Sequence, residues 1–455
     1  MKRKLLSALL AAGMVVSLVA CGGGGNGASD DQKSPETQGA QEPANDSGNS
    51  GSSSGEEITI KVFSNLPDRS SGQGLVEQTL FDEYMKENTN VKIEVEALDD
   101  EAYKTKFKAY ASGSQMPDLV NVWGQPGFLD EVMEAGLLAE LNPDDYADYN
   151  FLPGSLDGFS NNGKLYGLSR NTDVMCFYYN QKIFDDHGWK VPQTYDELLA
   201  LGKEITDAGL IPVSMDGGDK WPMYIYIHDL VEKIDGSGVM AKTDAAIKGH
   251  DFSDPSFMQA SDLFMDAVNG GLFQTGFESS DYGTSMNLFT NGQAAMFYMG
   301  SWEMSMANNM DIPDEIRENI RVFLMPSVSG GKGTPQNITA WHGGGYAVTE
   351  NSANKEEAIK LLNYMFRPDG WTKIAWENGV CMSAQNFGDY ATGTETEVQK
   401  QFMDLVAQAT DLSGTTLGDL GSSEFKTICE DKTQELSTGN ISGEDYWKAL
   451  EDVGK

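Results

Sequence analysis

Basic residues are scarce: 32 Lys and Arg stand against 69 Asp and Glu in 455 residues, a formal charge of −37. Binding DNA, RNA or an anionic lipid surface rests on neutralising phosphates with cations, so this imbalance excludes nucleic-acid partners. Cysteine is scarcer still, limited to Cys21, Cys176, Cys381 and Cys429. No Cys-x-x-Cys pairs them, and His187, His228, His250 and His342 form no His-x-x-x-His, so neither a metal nor a cofactor is expected. Walker loops, the dinucleotide Gly-x-Gly-x-x-Gly, Gly-x-Ser-x-Gly and His-Glu-x-x-His are also missing. Hydrophobic residues are plentiful at 40% and aromatics at 10%, enough to pack two or three domains.

Long apolar runs are absent apart from one. Leu5 to Ala20, broken by Ser7, Gly13 and Ser17, follows Lys2-Arg3-Lys4. Crossing a bilayer takes about 20 apolar residues, so residues 1–20 are expected to be a cleaved signal peptide. The run closes on Leu18-Val19-Ala20-Cys21, which resembles the lipobox of bacterial lipoproteins. That resemblance implies lipidation of Cys21, attachment to the membrane through the lipid alone, and a place on the extracytoplasmic face. An ordinary secretory signal is the alternative. With Cys21 lipidated, the other three thiols allow one disulfide or none. Residues 22–55 contain no Val, Ile, Leu, Met or aromatic residue, so 21–55 is expected to be the lipidated Cys plus a flexible linker. Its r.m.s. reach would be about 30 Å.

Beyond the linker, apolar periodicity alternates between 2 and 3.6. Ile58–Phe63 and Val91–Glu96 read as strands, residues 74–87 and 99–112 as helices, and Leu119–Trp123 as a short buried strand. Strand–helix repetition of this kind indicates an α/β unit with a mainly parallel sheet, in which ligands sit beyond the carboxyl ends of strands. Asn65, Asp68 and Trp123 fall at such ends. A second α/β body is expected to begin near 172, with a capping box at Thr194-x-x-Glu197, and strands at 211–215, 321–324 and 344–349. The C-terminal part reads as helices around 355–366, 398–407 and 424–436.

Four stretches occur in order: Tyr110-Ala-Ser-Gly-Ser-Gln-Met-Pro-Asp-Leu119, Gly163-Lys-Leu-Tyr-Gly-Leu168 through Tyr179-Asn180, Pro192-Gln-Thr-Tyr-Asp-Glu-Leu198, and Phe289-x-x-Gly-x-Ala-Ala-Met296 through Gly300-Ser-Trp302. Together they resemble the extracellular solute-binding proteins that serve ABC sugar importers, the group containing the maltodextrin-binding proteins. The resemblance implies a two-lobe periplasmic-binding-protein-like fold, each lobe a mainly parallel sheet flanked by helices, with the ligand in the cleft between them. Carried onto this chain, residues 56–169 and 328–368 form the N-terminal lobe, and 170–327 and 369–455 the C-terminal lobe. Ser169 departs from the family's usual Pro, and contacts after residue 380 stay open.

Eight Trp offer plates for the apolar face of a sugar ring. Trp123, Trp221, Trp302 and Trp341 lie at strand ends or helix starts among Gly, Pro and polar residues. Trp123 and Trp302 match positions where the resembling family stacks sugars. Trp123 and Trp341 are expected on one lobe, Trp221 and Trp302 on the other. Asn65, Asp68, Arg170, Asn171 and Asp173 are the candidates for the hydroxyl rim. In Trp341-His-Gly-Gly-Gly-Tyr346, Gly343 would let backbone approach a ligand closely. No catalytic residue is expected. The function implied is a monomeric, non-catalytic receptor that captures a carbohydrate and delivers it to ABC permease transmembrane subunits. The rival classes are an exported glycoside hydrolase and a surface polysaccharide-binding adhesin.

Overall fold

Alternation of Ile58, Ile60 and Val62 with Thr59 and Lys61 opens β1 (Ile58–Ser64), a strand whose last three residues are all buried. A computed structural model describes residues 57–113 and 115–455; the expected signal peptide, the expected lipidation at Cys21 and the expected linker lie outside the described residues. Helix α1 (Gly72–Glu87) packs back with Val76, Leu80 and Tyr84, four residues apart, on its buried face. β2 (Val91–Ala97) then pairs parallel with β1 along its length. Helix α2 (Asp100–Ser112) leads to β3 (Leu119–Trp123), parallel to β1 on its other side. Helix α3 (Pro126–Glu134) opens on a proline, where a missing N–H costs nothing. A small hairpin, β4 (Ser160–Asn161) and β5 (Lys164–Leu165), precedes β6 (Leu168–Ser169).

The chain then leaves this layer. β7 (Asp173–Asn180) is buried along its whole length and forms the middle of a second sheet with β8 (Ile211–Ser214), β9 (Ala294–Gly300), β10 (Ile320–Phe323) and β11 (Asn337–Trp341). β12 (Gly344–Val348) returns to the first sheet, and β13 (Asp411–Gly414) edges the second. Strand orders are β2-β1-β3-β12-β6 and β13-β11-β7-β9-β8, with β10 also beside β7. Parallel pairing joins β2, β1 and β3, and in the second sheet β8 with β9 and β11 with β13. The strands next to the crossings run antiparallel, because each comes from or leaves for the other lobe.

Two hydrophobic cores correspond to the two sheets, one around Phe63, Leu80, Tyr346 and Trp371, the other around Phe177, Tyr226 and Tyr298. The lobe boundaries differ from expectation at two places. Ile338 and Ala340 pack in the second core, so the return crossing falls at His342–Gly343 and not at 328. Trp371 stacks 6.3 Å from Phe366, and Ala375, Val380 and Cys381 share that first core, so the last departure falls near Met382 and not at 369. The crossings are bonded side by side: Thr172 N–H donates to Met382 O (2.9 Å), Arg170 N–H to Gly344 O (2.8 Å). Thr172 Oγ1 lies 3.0 Å from His342 Nδ1. Cys176, Cys381 and Cys429 are buried free thiols.

Candidate functional site

Strand ends of the first sheet, the crossings and the second lobe together line a cavity of about 790 Å³. It gathers Asn65, Asp68, Trp123, Arg170, Asn171, Asp173, Trp221, Trp302 and Trp341. Gly343 stands behind the lining, and its neighbour Gly344 reaches it instead. A Cβ at Gly343 would fall 2.4 Å from Trp341 Nε1 and 2.5 Å from Asp173 Oδ2, so its hydrogen seats these two side chains.

Three of the indoles form one wall. Trp302 follows β9, with its ring folded over Gly300, where a Cβ would fall 2.0 Å from the indole. Its ring centre lies 5.8 Å from Trp221 and 6.1 Å from Trp341, tilted 55° and 62°. Its N–H donates to Tyr282 Oη (2.8 Å), and that hydroxyl donates to Glu303. Trp341 ends β11 in the second sheet, so it joins Trp221 and Trp302, which corrects the expectation that it shares a lobe with Trp123. Trp123, on the first lobe, is wedged edge-on between Tyr103 (5.7 Å) and Phe128 (5.0 Å), with Lys104 Nζ 5.5 Å from the ring centre.

The polar rim is held by its own network. Arg170 donates from Nη1 to Asn65 Oδ1 and from Nε to Asn171 Oδ1, both at 3.2 Å, and lies 5.7 Å from the Tyr346 ring centre. Asn171 Nδ2 donates to Asp173 Oδ1. Burial pushes the Asp173 carboxyl up to about 7, against the opposing pull of Arg170, Asn171 and the Gly344 N–H. Asp68 accepts from the hydroxyls of Ser70 (2.6 Å) and Ser71 (2.5 Å), which hold its carboxyl below the ordinary range. It thus shapes its own loop while facing the cavity.

Several lining residues carried no usable sequence signal: Gln73 on α1, Tyr282 and Glu303 beside the tryptophans, and Asp419 and Lys426 beyond residue 380. Asp100 and Glu101 open α2, as the sequence predicts, and also follow the carboxyl end of β2, so the strand-end rule reaches them as lining residues. Among the described residues, no three His, Cys, Asp or Glu side chains are arranged to hold a metal ion. No described helix is long and apolar enough to cross a membrane.

The bacterial extracellular solute-binding protein family matches residues 66–370. A multiple sugar-binding protein of Streptococcus mutans is 24% identical over 319 residues, covering 68% of this chain and 71% of that one. An ABC transporter extracellular-binding protein of Pyrococcus horikoshii is 25% identical over 292 residues, covering 62% of this chain and 63% of that one. Among solved structures, one from a study of xylan utilization by the thermophilic bacterium Caldanaerobius polysaccharolyticus superposes with a TM-score of 0.80 at 26% identity. It covers 88% of this chain and all of that one.

Proposed function

This chain belongs to the bacterial extracellular solute-binding protein family, and from that premise we propose that it captures an oligosaccharide or glycoside and delivers it to the transmembrane subunits of an ABC importer. The observation that carries the reading is the convergence of Trp221, Trp302 and Trp341 on a cavity whose first-lobe side holds Trp123. A pyranose presents apolar C–H faces to indole plates and hydroxyls to a polar rim. The names of the sugar-binding relatives support this ligand class. A ligand that touches both lobes binds the closed form better than the open one, and only that difference shifts the population. Closure bends the chain at the bonded crossings, and the protein acts as a monomer.

Trp302→Ala is expected to weaken sugar binding at least about tenfold in calorimetry, with the ligand-free melting temperature nearly unchanged. Unaltered affinity would remove Trp302 from the site. Cys21 is the proposed lipid attachment, holding the body near the membrane on a flexible linker. Cys21→Ser is expected to move the protein from the membrane fraction to the medium, and persistence on the membrane would contradict the anchor.

One feature bears on the hydrolase alternative. A carboxyl raised to about 7 in a sugar cleft suits a general acid. Asp173 is only 4% exposed, its Oδ1 is held by Asn171, and it packs against Gly343, all of which suits a prop for the crossing. The ligand therefore leaves chemically intact; new reducing ends after incubation with oligosaccharides would contradict this.

A further inference from the structure

Ten carboxylates and three cations line the cavity, and each cation is engaged within the protein. Lys104 Nζ sits 2.7 Å from Asp100 Oδ2 and 2.7 Å from Glu101 Oε1. Lys426 Nζ sits 2.5 Å from Asp419 Oδ1. Arg170 spends Nε and Nη1 on amide oxygens, and its charge falls on Asp173. The carboxylates also face one another across the cleft. Burial first, and then the charges of Glu101 and Asp100 on the opposite lobe, push the Asp219 carboxyl up. An anion entering here would lose its hydration, find its counter-ions taken and meet like charge from both sides.

A second observation is independent of charge. Gln73 on the first lobe and Trp221 on the second line the cavity with 8% and 9% of their surface exposed. Each has one buried polar atom without a partner, Gln73 Oε1 and Trp221 Nε1. Buried polar atoms are nearly always paired, and both atoms are sealed from solvent here, so a ligand would become their partner only as the two side chains turn toward it on binding. One is an acceptor, the other a donor, and both are uncharged. A hydroxyl can satisfy either; neutral and acidic sugars both carry hydroxyls, so these two atoms point to a hydroxylated ligand and the exclusion of acidic ones rests on the charge of the cleft.

We propose that the cleft admits only glycosides without negative charge, taking hydroxyls on Gln73 Oε1 from one lobe and Trp221 Nε1 from the other, and refuses uronic acids and sugar phosphates. This rests on the carbohydrate-capture reading and narrows it to a charge class. The refusal is a matter of repulsion and unmet counter-charge, while the grip is a matter of unpaired neutral groups.

The test is calorimetry on the protein with matched sugars: gluco-, galacto- and manno-oligosaccharides, each beside its C6-carboxylate and its 6-phosphate. For whichever neutral sugar binds, the charged counterparts are expected to bind at least about 100-fold more weakly. Gln73→Leu is expected to weaken the neutral sugar at least about fivefold without lowering the ligand-free melting temperature. A Glu101→Gln, Asp219→Asn double variant is expected to narrow the neutral-to-charged ratio. A ratio below 100-fold, or an acidic sugar as the tighter ligand, would overturn the charge selection while leaving carbohydrate capture standing. An unmoved affinity in Gln73→Leu would overturn the grip. Failure of every sugar in every form would overturn carbohydrate capture itself, and this proposal with it.

Discussion

At the scale of single residues, one missing methyl group and one uncharged imidazole have consequences far beyond their size. Gly343 lies behind the cavity, yet any Cβ there would strike both Trp341 and Asp173. The run of three glycines was plain in the sequence, but which of them faces the ligand and which seats an indole depends on the path of the crossing. His228 is buried in helix Trp221–Asp235, where burial first and the Lys233 charge second depress it to about 4. Its unfolded value is near the ordinary 6.5, so the unfolded chain takes up the proton first as pH falls. The stability contributed by a neutral His228 is therefore present above about 6.5 and lost as pH falls towards about 4, at most about 3 kcal/mol. Asp173 and Asp216, both raised by burial, act in the opposite sense, so the difference from a variant isolates the histidine. Urea unfolding at pH 7.5 and 4.5 should show His228→Gln losing less stability on acidification than the parent. Equal losses would show that His228 is not the group that titrates.

At the scale of elements, the loop of residues 65–71 presents Asn65 and Asp68 to the cavity and is tied down by one buried acid. Glu77 on α1 has no exposed surface and accepts from Ser64 Oγ (2.9 Å), Tyr346 Oη (2.6 Å) and Arg69, the last within the loop itself. Removing a carboxylate from such a pair leaves its partners buried and unmatched. Glu77→Gln is expected to cost about 3 kcal/mol and to speed amide exchange at residues 65–71 more than elsewhere in the first lobe. Uniform exchange across that lobe would contradict the anchoring role. The elements around this loop were legible because β1, β2, α1 and α2 carry clean periodicities in their own residues. β11 and β13 were not. Each is four or five residues long, and they pair across some 70 positions of chain, Asn337 with Asp411, which no local pattern encodes. The boundary at 328 was carried over from the family resemblance, and no local pattern corrects it to His342–Gly343.

At the scale of the whole molecule, two cores share one cavity and are joined by three adjacent strands of chain. The four Trp were legible as a set, since glycines, prolines and strand ends surround them, but their division between lobes was not, because it depends on β11. Their arrangement, three against one, puts most of the aromatic surface on the second lobe and a single indole on the first, while polar groups line the cavity from both. On the proposed reading, tight binding requires both lobes at once, and hinge closure would follow from the ligand's contacts with each. Small-angle X-ray scattering of the protein, with and without a saturating neutral oligosaccharide identified by calorimetry, tests this most directly. The radius of gyration is expected to fall on binding while the fold's secondary structure stays constant; binding at full occupancy with an unchanged scattering profile would contradict a cleft that closes on its sugar.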